Sequence, residues 1–171
     1  MDVISAIEKR RSTRDFSEKN IDDSLIEKLL HIATLAPSAG NLQSWFFVVI
    51  RKNSIKEALV EATNGQEYIT SAPVIITGCA DVNKSASKYG ERGKQLYAIQ
   101  DTTLAMYNLW LAAIDNGLSC AWLGALDEQK TRVILDLPSN LRPIILLSIG
   151  YSKKTPEAPE RKKISNVYKT I

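Results

Sequence analysis

Apolar residues recur along this chain in two rhythms, a helical three-to-four spacing and short unbroken runs, and their alternation predicts a layered α+β domain. Val3 to Arg10 reads as a short helix with Asp2 as N-cap and with Ile4 and Ile7 turned inward. A second helix starts at Asp22 or Asp23, carries Leu25, Ile26, Leu29, Leu30 and Ala33 on one face, and is closed by Pro37. Trp45 to Arg51 is a continuous β-branched and aromatic run, expected to be a buried strand. Asn53 or Ser54 opens a helix through Ala62, and Pro73 to Cys79 reads as a second buried strand. Asp81 to Gly93 is polar and lysine-rich, which predicts a loop or a short mobile helix.

The longest helix follows, from about Gln95 to Asn116. Its apolar residues cover more than one face, as expected of a core helix that also packs on a partner subunit. Gly117 ends it, Ser119 to Ala125 is strand-like, Asp127 caps a short helix to Leu135, and Pro143 to Gly150 is a third strong strand. Connections long enough for crossover helices imply a three-layer α-β-α sandwich with a mixed central sheet. One domain spans residues 1–171, with 152–171 as an extended tail rich in Lys, Pro and Glu.

Composition narrows the function. With 44% hydrophobic and 24% charged residues the chain is an ordinary globular protein. A net charge of +3, without basic runs interleaved with aromatics, gives no indication of nucleic-acid binding. No apolar run approaches the roughly 18 residues of a membrane span. With no signal-peptide pattern at the start, a cytoplasmic protein is expected. Cys79 and Cys120 sit in separate apolar stretches and read as buried free thiols. His31 is the only histidine and sits in a predicted helix, a poor basis for a zinc site or a Ser-His triad. No Gly-x-Gly-x-x-Gly follows a first strand, which argues against a dinucleotide-binding Rossmann unit.

Two segments carry chemistry. Arg10-Arg11-Ser12-Thr13-Arg14 places three guanidinium groups within five residues, and Arg forks suit phosphorylated or planar anions. Pro37-Ser38-Ala39-Gly40-Asn41-Leu42-Gln43-Ser44-Trp45 is a loop of small and amide-bearing residues, able to approach a polar heterocycle. Together they describe a pocket for a ligand with a phosphate at one end and a hydrogen-bonding ring at the other. Taken alone, Lys9-Arg10-Arg11 has a simpler reading as a solvated helix end.

These segments resemble the flavin-binding elements of the nitroreductase family. The resemblance continues, in the family's order, through Tyr89-Gly90-Glu91-Arg92-Gly93, Gln100-Asp101, Gly117 to Ala125 and the basic tail Arg161-Lys162-Lys163. It implies a homodimer with FMN at the subunit interface and a swapped C-terminal tail. In that pattern Arg10 and Ser12, with Arg11, face the ribityl-phosphate side, and Arg14 reaches the pyrimidine edge. Pro37, Ser38, Ala39, Asn41 and Gln43 line the ring, commonly from the other subunit. Leu123 and Gly124 bring backbone to flavin N5, and Arg161 and Lys162 serve as C-terminal phosphate ligands. Ser44 and Lys163 stand where the family often has proline.

The activity implied is ping-pong hydride transfer from NADH or NADPH to a small electron-poor oxidant, nitroaromatic or quinone-like, with no catalytic side chain and no metal. Substrate choice is expected from the Asp81–Gly93 segment, with Tyr89, Arg92 and Tyr97 as contacts. Three alternatives stand beside it: a flavin-storing or redox-sensing protein without turnover, a specialised relative that dehalogenates substrates or destroys flavin, and a plain interaction module.

Overall fold

The computed structural model describes residues 1–171. Asp2 caps helix α1 (Val3–Lys9) through its carboxylate and the Ser5 amide. Helix α2 (Asp23–Thr34) buries Ile26, Leu29 and Ala33. Strand β1 (Trp45–Ile50), helix α3 (Asn53–Ala62), strand β2 (Val74–Asp81) and helix α4 (Val82–Arg92) follow. A π-turn over Gly93–Tyr97 leads into helix α5 (Ala98–Asp115). Strand β3 (Ser119–Leu123), helix α6 (Glu128–Ile134) and strand β4 (Leu141–Gly150) complete the domain. No helix is long and apolar enough to cross a membrane.

The sheet order is β1-β2-β4-β3. All neighbouring strands pair antiparallel. The parallel component of the expected mixed sheet is confined to one bridge, Ser12 to Cys120, where the Thr13 amide donates to the Cys120 carbonyl at 2.9 Å on the free edge of β3. β2 and β3 run the same way with β4 between them, and α5 is the crossover that joins them.

Side chains alternate across the sheet, so successive residues feed different cores. Ile76 and Leu147 pack with Leu29, Met106 and Leu109 of α2 and α5 on one face. Ile75 and Leu146 pack with Leu59 of α3 on the other, where α6 also lies. Each of these side chains is fully withdrawn from water, which stabilises by roughly 1.5–3 kcal/mol apiece. The three-layer arrangement follows directly.

Two further expectations are corrected, and one that was left open is decided. Ile4 and Ile7 face outward, and Ala6 is the buried residue of α1. A single-turn spacing does not say which side of a two-turn helix meets the core. β1 is half-exposed, with Phe46 and Val49 open, because it is an edge strand whose outer face nothing in the chain covers. Of the loop and the short helix that the Asp81–Gly93 segment allows, the structure takes the helix: Asp81 caps it by accepting from the Lys84 amide, and only Val82 and Ser85 are buried. Its apolar stripe is thin, Val82, Ala86 and Tyr89 among polar residues, and Gly90, at φ 55°, breaks the pattern.

Gly117 takes φ 74° beyond the end of α5, and the Leu118 amide returns to the Ala113 carbonyl at 2.9 Å, a Schellman-type stop. The tail beyond Ser152 runs exposed, with Ile164, Val167 and Tyr168 in water.

Candidate functional site

The N-terminal arginines divide their work. α1 ends at Lys9, and the chain then runs extended along β3. Arg10 lays its guanidinium over the Trp110 ring, 4.8 Å from the centroid, a geometry that positions the fork by cation–π attraction. Trp110 is in turn stacked on Trp122 of β3 with centroids 5.8 Å apart. The first motif and the Gly117–Ala125 segment are thereby tied together through two tryptophans. Trp110 Nε1 is buried without a partner.

Arg11 is turned onto its own helix end and donates to the carbonyls of Glu8 at 2.7 Å and Arg10 at 2.8 Å. For this residue the simple reading as a helix-end cation describes the geometry. Ser12 is held by the β3 bridge. Arg14 is exposed, with its guanidinium 5.6 Å from the Tyr68 ring centroid. Burial raises the Tyr68 phenol above its ordinary value, and the Arg14 charge partly opposes this.

The second motif is a strained loop with a rigid anchor. Gly40, Asn41 and Gln43 all have positive φ, between 52° and 57°. For non-glycine residues that conformation costs roughly 1–2 kcal/mol each, and it persists only where surrounding contacts over-determine it. The contacts are clear. Asp101, buried on the first turn of α5, accepts from the Ala39 amide at 2.9 Å and from the Ser44 hydroxyl at 2.7 Å. Ser38 Oγ accepts from the Gln43 amide at 2.9 Å. Ser44, where a proline would offer only stiffness, supplies a hydrogen bond that holds the loop to α5. Residues of α4 lie over Gly40: a Cβ there would fall 2.5 Å from the Tyr89 hydroxyl and 2.7 Å from Lys88 Nζ. Pro37, Ser38, Ala39, Tyr97 and Leu104 line a cleft of about 580 Å³.

At the expected substrate side, Tyr89 and Tyr97 meet edge to face at 5.1 Å, and Arg92 Nε donates to the Tyr97 hydroxyl at 2.9 Å. The structure thus brings all three residues together. Leu123 is buried in the core beneath α3, so only its backbone is available, while Gly124 is exposed with room around its Cα. Arg161 and Lys162 are exposed in the tail and touch none of these groups within one chain.

The two cysteines are free thiols, both buried. Burial pushes the Cys79 thiol up to about 12 and Cys120 higher still, so neither is a thiolate near neutral pH. His31 lies exposed on α2. No three His, Cys, Asp or Glu side chains converge as a metal site would need.

Sequence reasoning missed Asp101 as the loop's anchor, Trp110 and Trp122 as the platform for Arg10, and Tyr68 as the partner of Arg14. Asp101 had a visible signal, a lone carboxylate among the apolar residues of a buried helix. The aromatic contacts had none.

A layered α+β domain with a cationic N-terminal fork and an amide-bearing loop belongs to a recognisable class, and comparison with known proteins identifies it. The sequence profile of the Nitroreductase family matches residues 7–67 and 59–151. The chain belongs to the nitroreductase family. It is 34% identical over 156 residues to an Archaeoglobus fulgidus protein provisionally named NADH dehydrogenase/NAD(P)H nitroreductase, covering 89% of this chain and 86% of that one. It is 32% identical over 178 residues to a Thermus thermophilus NADH dehydrogenase, covering 88% and 87%. The crystal structure of nitroreductase A from Vibrio parahaemolyticus superposes with a TM-score of 0.90 at 25% identity, over 100% of this chain and 77% of that one.

Proposed function

We propose that this chain is an FMN-dependent NAD(P)H oxidoreductase that reduces small, flat, electron-poor acceptors, and that it works as a homodimer. The observation that carries the reading is the division of the donor set along α5. Asp101 anchors the loop Pro37–Gln43 at one end of the helix, and Trp110 carries Arg10 nine residues further on, roughly 14 Å along the axis. On this reading one chain supplies two half-sites set apart along α5. A second copy would bring the loop of one chain to the arginines of the other.

The surface supports that assembly. Val3, Ile4 and Ile7 of α1 and Leu104 of α5 are exposed apolar residues on adjoining helices. Such an apolar surface marks an interaction site in a globular protein. The tail, with Ile164, Val167 and Tyr168 uncovered, has apolar side chains to lay on a partner and Arg161 and Lys162 to bring to its phosphate site.

The donor chemistry fits FMN. A phosphomonoester near neutral pH carries between one and two negative charges and requires cationic, hydrogen-bonding partners when buried. Arg10 and Ser12 would hold that end, with Arg161 and Lys162 from the tail, while Arg11 keeps the end of α1 closed. Arg14 would place its charge at the pyrimidine edge of the ring, where a cation favours the reduced, anionic form. Ser38, Asn41 and Gln43 would hold ring and ribityl chain by hydrogen bonds, and Gly124 leaves space for close backbone approach. When bound, FMN supplies the hydride relay between nicotinamide and acceptor. The protein binds, orients and excludes water, and Tyr89, Arg92 and Tyr97 border the place where an acceptor would lie.

The test is direct. Purified protein loaded with FMN should lose its visible flavin absorbance when NADH or NADPH is added without oxygen, and regain it when a quinone follows. A protein that retains FMN but is bleached by neither nicotinamide would instead be a flavin-storage or sensing protein.

A further inference from the structure

A second cationic cavity, of about 480 Å³, opens at the start of α3 and shares no residue with the proposed flavin set. Its polar lining is drawn from four separated stretches and includes Asn20, Arg51, Asn53, Lys56, Thr70 and Lys153, with Glu18 as the one carboxylate. The volume is within the range of small-molecule pockets.

Lys56 is the informative residue. It is only 4% exposed, yet no carboxylate comes within ion-pair distance of it. Its Nζ donates to the Ala72 carbonyl at 2.8 Å, which uses one of three N–H groups. A buried lysine with no counter-charge is costly, and burial lowers its pKa below the ordinary lysine value.

The other cations of the lining differ from Lys56 in having carboxylate partners. Arg51 is held at the cavity wall by the Ile21 carbonyl and Asp23, and Lys153 by Asp15 at 3.3 Å. α3 begins at Asn53 with Lys52 as an N-cap that makes no side-chain hydrogen bond, and Asn53 and Lys56 of its first turn line the cavity at the positive end of the helix dipole. The donors left uncommitted are two N–H groups of Lys56 and the uncapped first turn of α3, beside Arg51 and Lys153, whose charges Asp23 and Asp15 already answer.

We propose that this cavity binds a small phosphorylated anion, with the phosphate seated on Lys56 and the first turn of α3 and the remainder of the ligand lying toward Lys153. The alternative assignment makes Lys56 a structural donor to Ala72 and nothing more. A phosphate could be free or belong to a small metabolite; the chemistry recognised is the same.

The experiment uses the FMN-loaded protein, so that the flavin phosphate site is already filled. Inorganic phosphate and glycerol 3-phosphate are titrated by calorimetry at constant ionic strength, with chloride as reference. Saturable binding of phosphate but not chloride is expected, and tighter binding of the monoester would assign the source to a metabolite. Lys56→Met should weaken binding at least tenfold and leave the flavin spectrum unchanged. Lys153→Gln, a change at an exposed residue, should weaken it about threefold and keeps the test valid if Lys56→Met does not fold. No binding to the parent protein, or equal binding by parent and variants, would overturn the proposal.

Discussion

Replacing Arg14 by Ala is expected to loosen FMN by roughly ten- to hundredfold and to slow its reduction by NADH, with the dimer intact. The expectation follows from position and charge. Arg14 is exposed at the edge of Tyr68, makes no ion pair with a carboxylate, and contributes nothing to the core. Its loss should therefore leave folding alone. A hydrogen bond to a charged group contributes about 1.5–3 kcal/mol, and each 1.4 kcal/mol is a factor of ten. Removing the cation also removes what favours the reduced ring, so the flavin potential should fall. Fluorescence titration of FMN, anaerobic stopped-flow reduction and gel filtration check the three parts. Normal affinity and normal reduction would show that Arg14 does not meet the ring.

The second large effect is on stability as well as binding. Asp101→Ala should lower the melting temperature by about 6–12 °C and strip most of the flavin from the protein. The carboxylate accepts two hydrogen bonds while 3% exposed, and its removal orphans the Ala39 amide and the Ser44 hydroxyl. Charge-assisted bonds of this kind sum to about 3 kcal/mol, and a chain of this size loses roughly 2–4 °C per kcal/mol. Without the anchor, the positive-φ geometry of Asn41 and Gln43 has less to hold it, and the loop should relax to ordinary backbone. Asp101→Asn, which keeps one acceptor, should recover more than half of the lost stability. Melting curves of the two variants, with and without FMN, separate the contributions. If Asp101→Ala bound flavin normally, the loop would be held by something other than α5.

Most of the fold was legible because its signals are local. Asp2, Asp127 and Gly117 mark helix ends by capping chemistry, and the runs around Val74–Cys79 and Pro143–Gly150 mark strands buried on both faces. What was not legible depends on neighbours. β1 reads like a central strand, but its place at the sheet's edge is decided by pairing, which no residue within it encodes. α4 hides its helicity because it buries almost nothing. In the site, Arg10 and Arg11 look alike in sequence. Only the fold assigns one to Trp110 and the other to the end of α1. The loop's polar residues were legible as candidate contacts from their types, whereas its stiffness comes from Asp101, some sixty residues away, through Ser44.

In the proposed homodimer, the separation of the two half-sites on α5 would have a genetic consequence. A lesion in the arginine half and a lesion in the loop half belong to different complementation groups within a single gene. When subunits carrying one of each pair, the twofold places both lesions in one pocket and neither in the other. Two inactive parents would then yield offspring with half their mixed dimers' pockets whole.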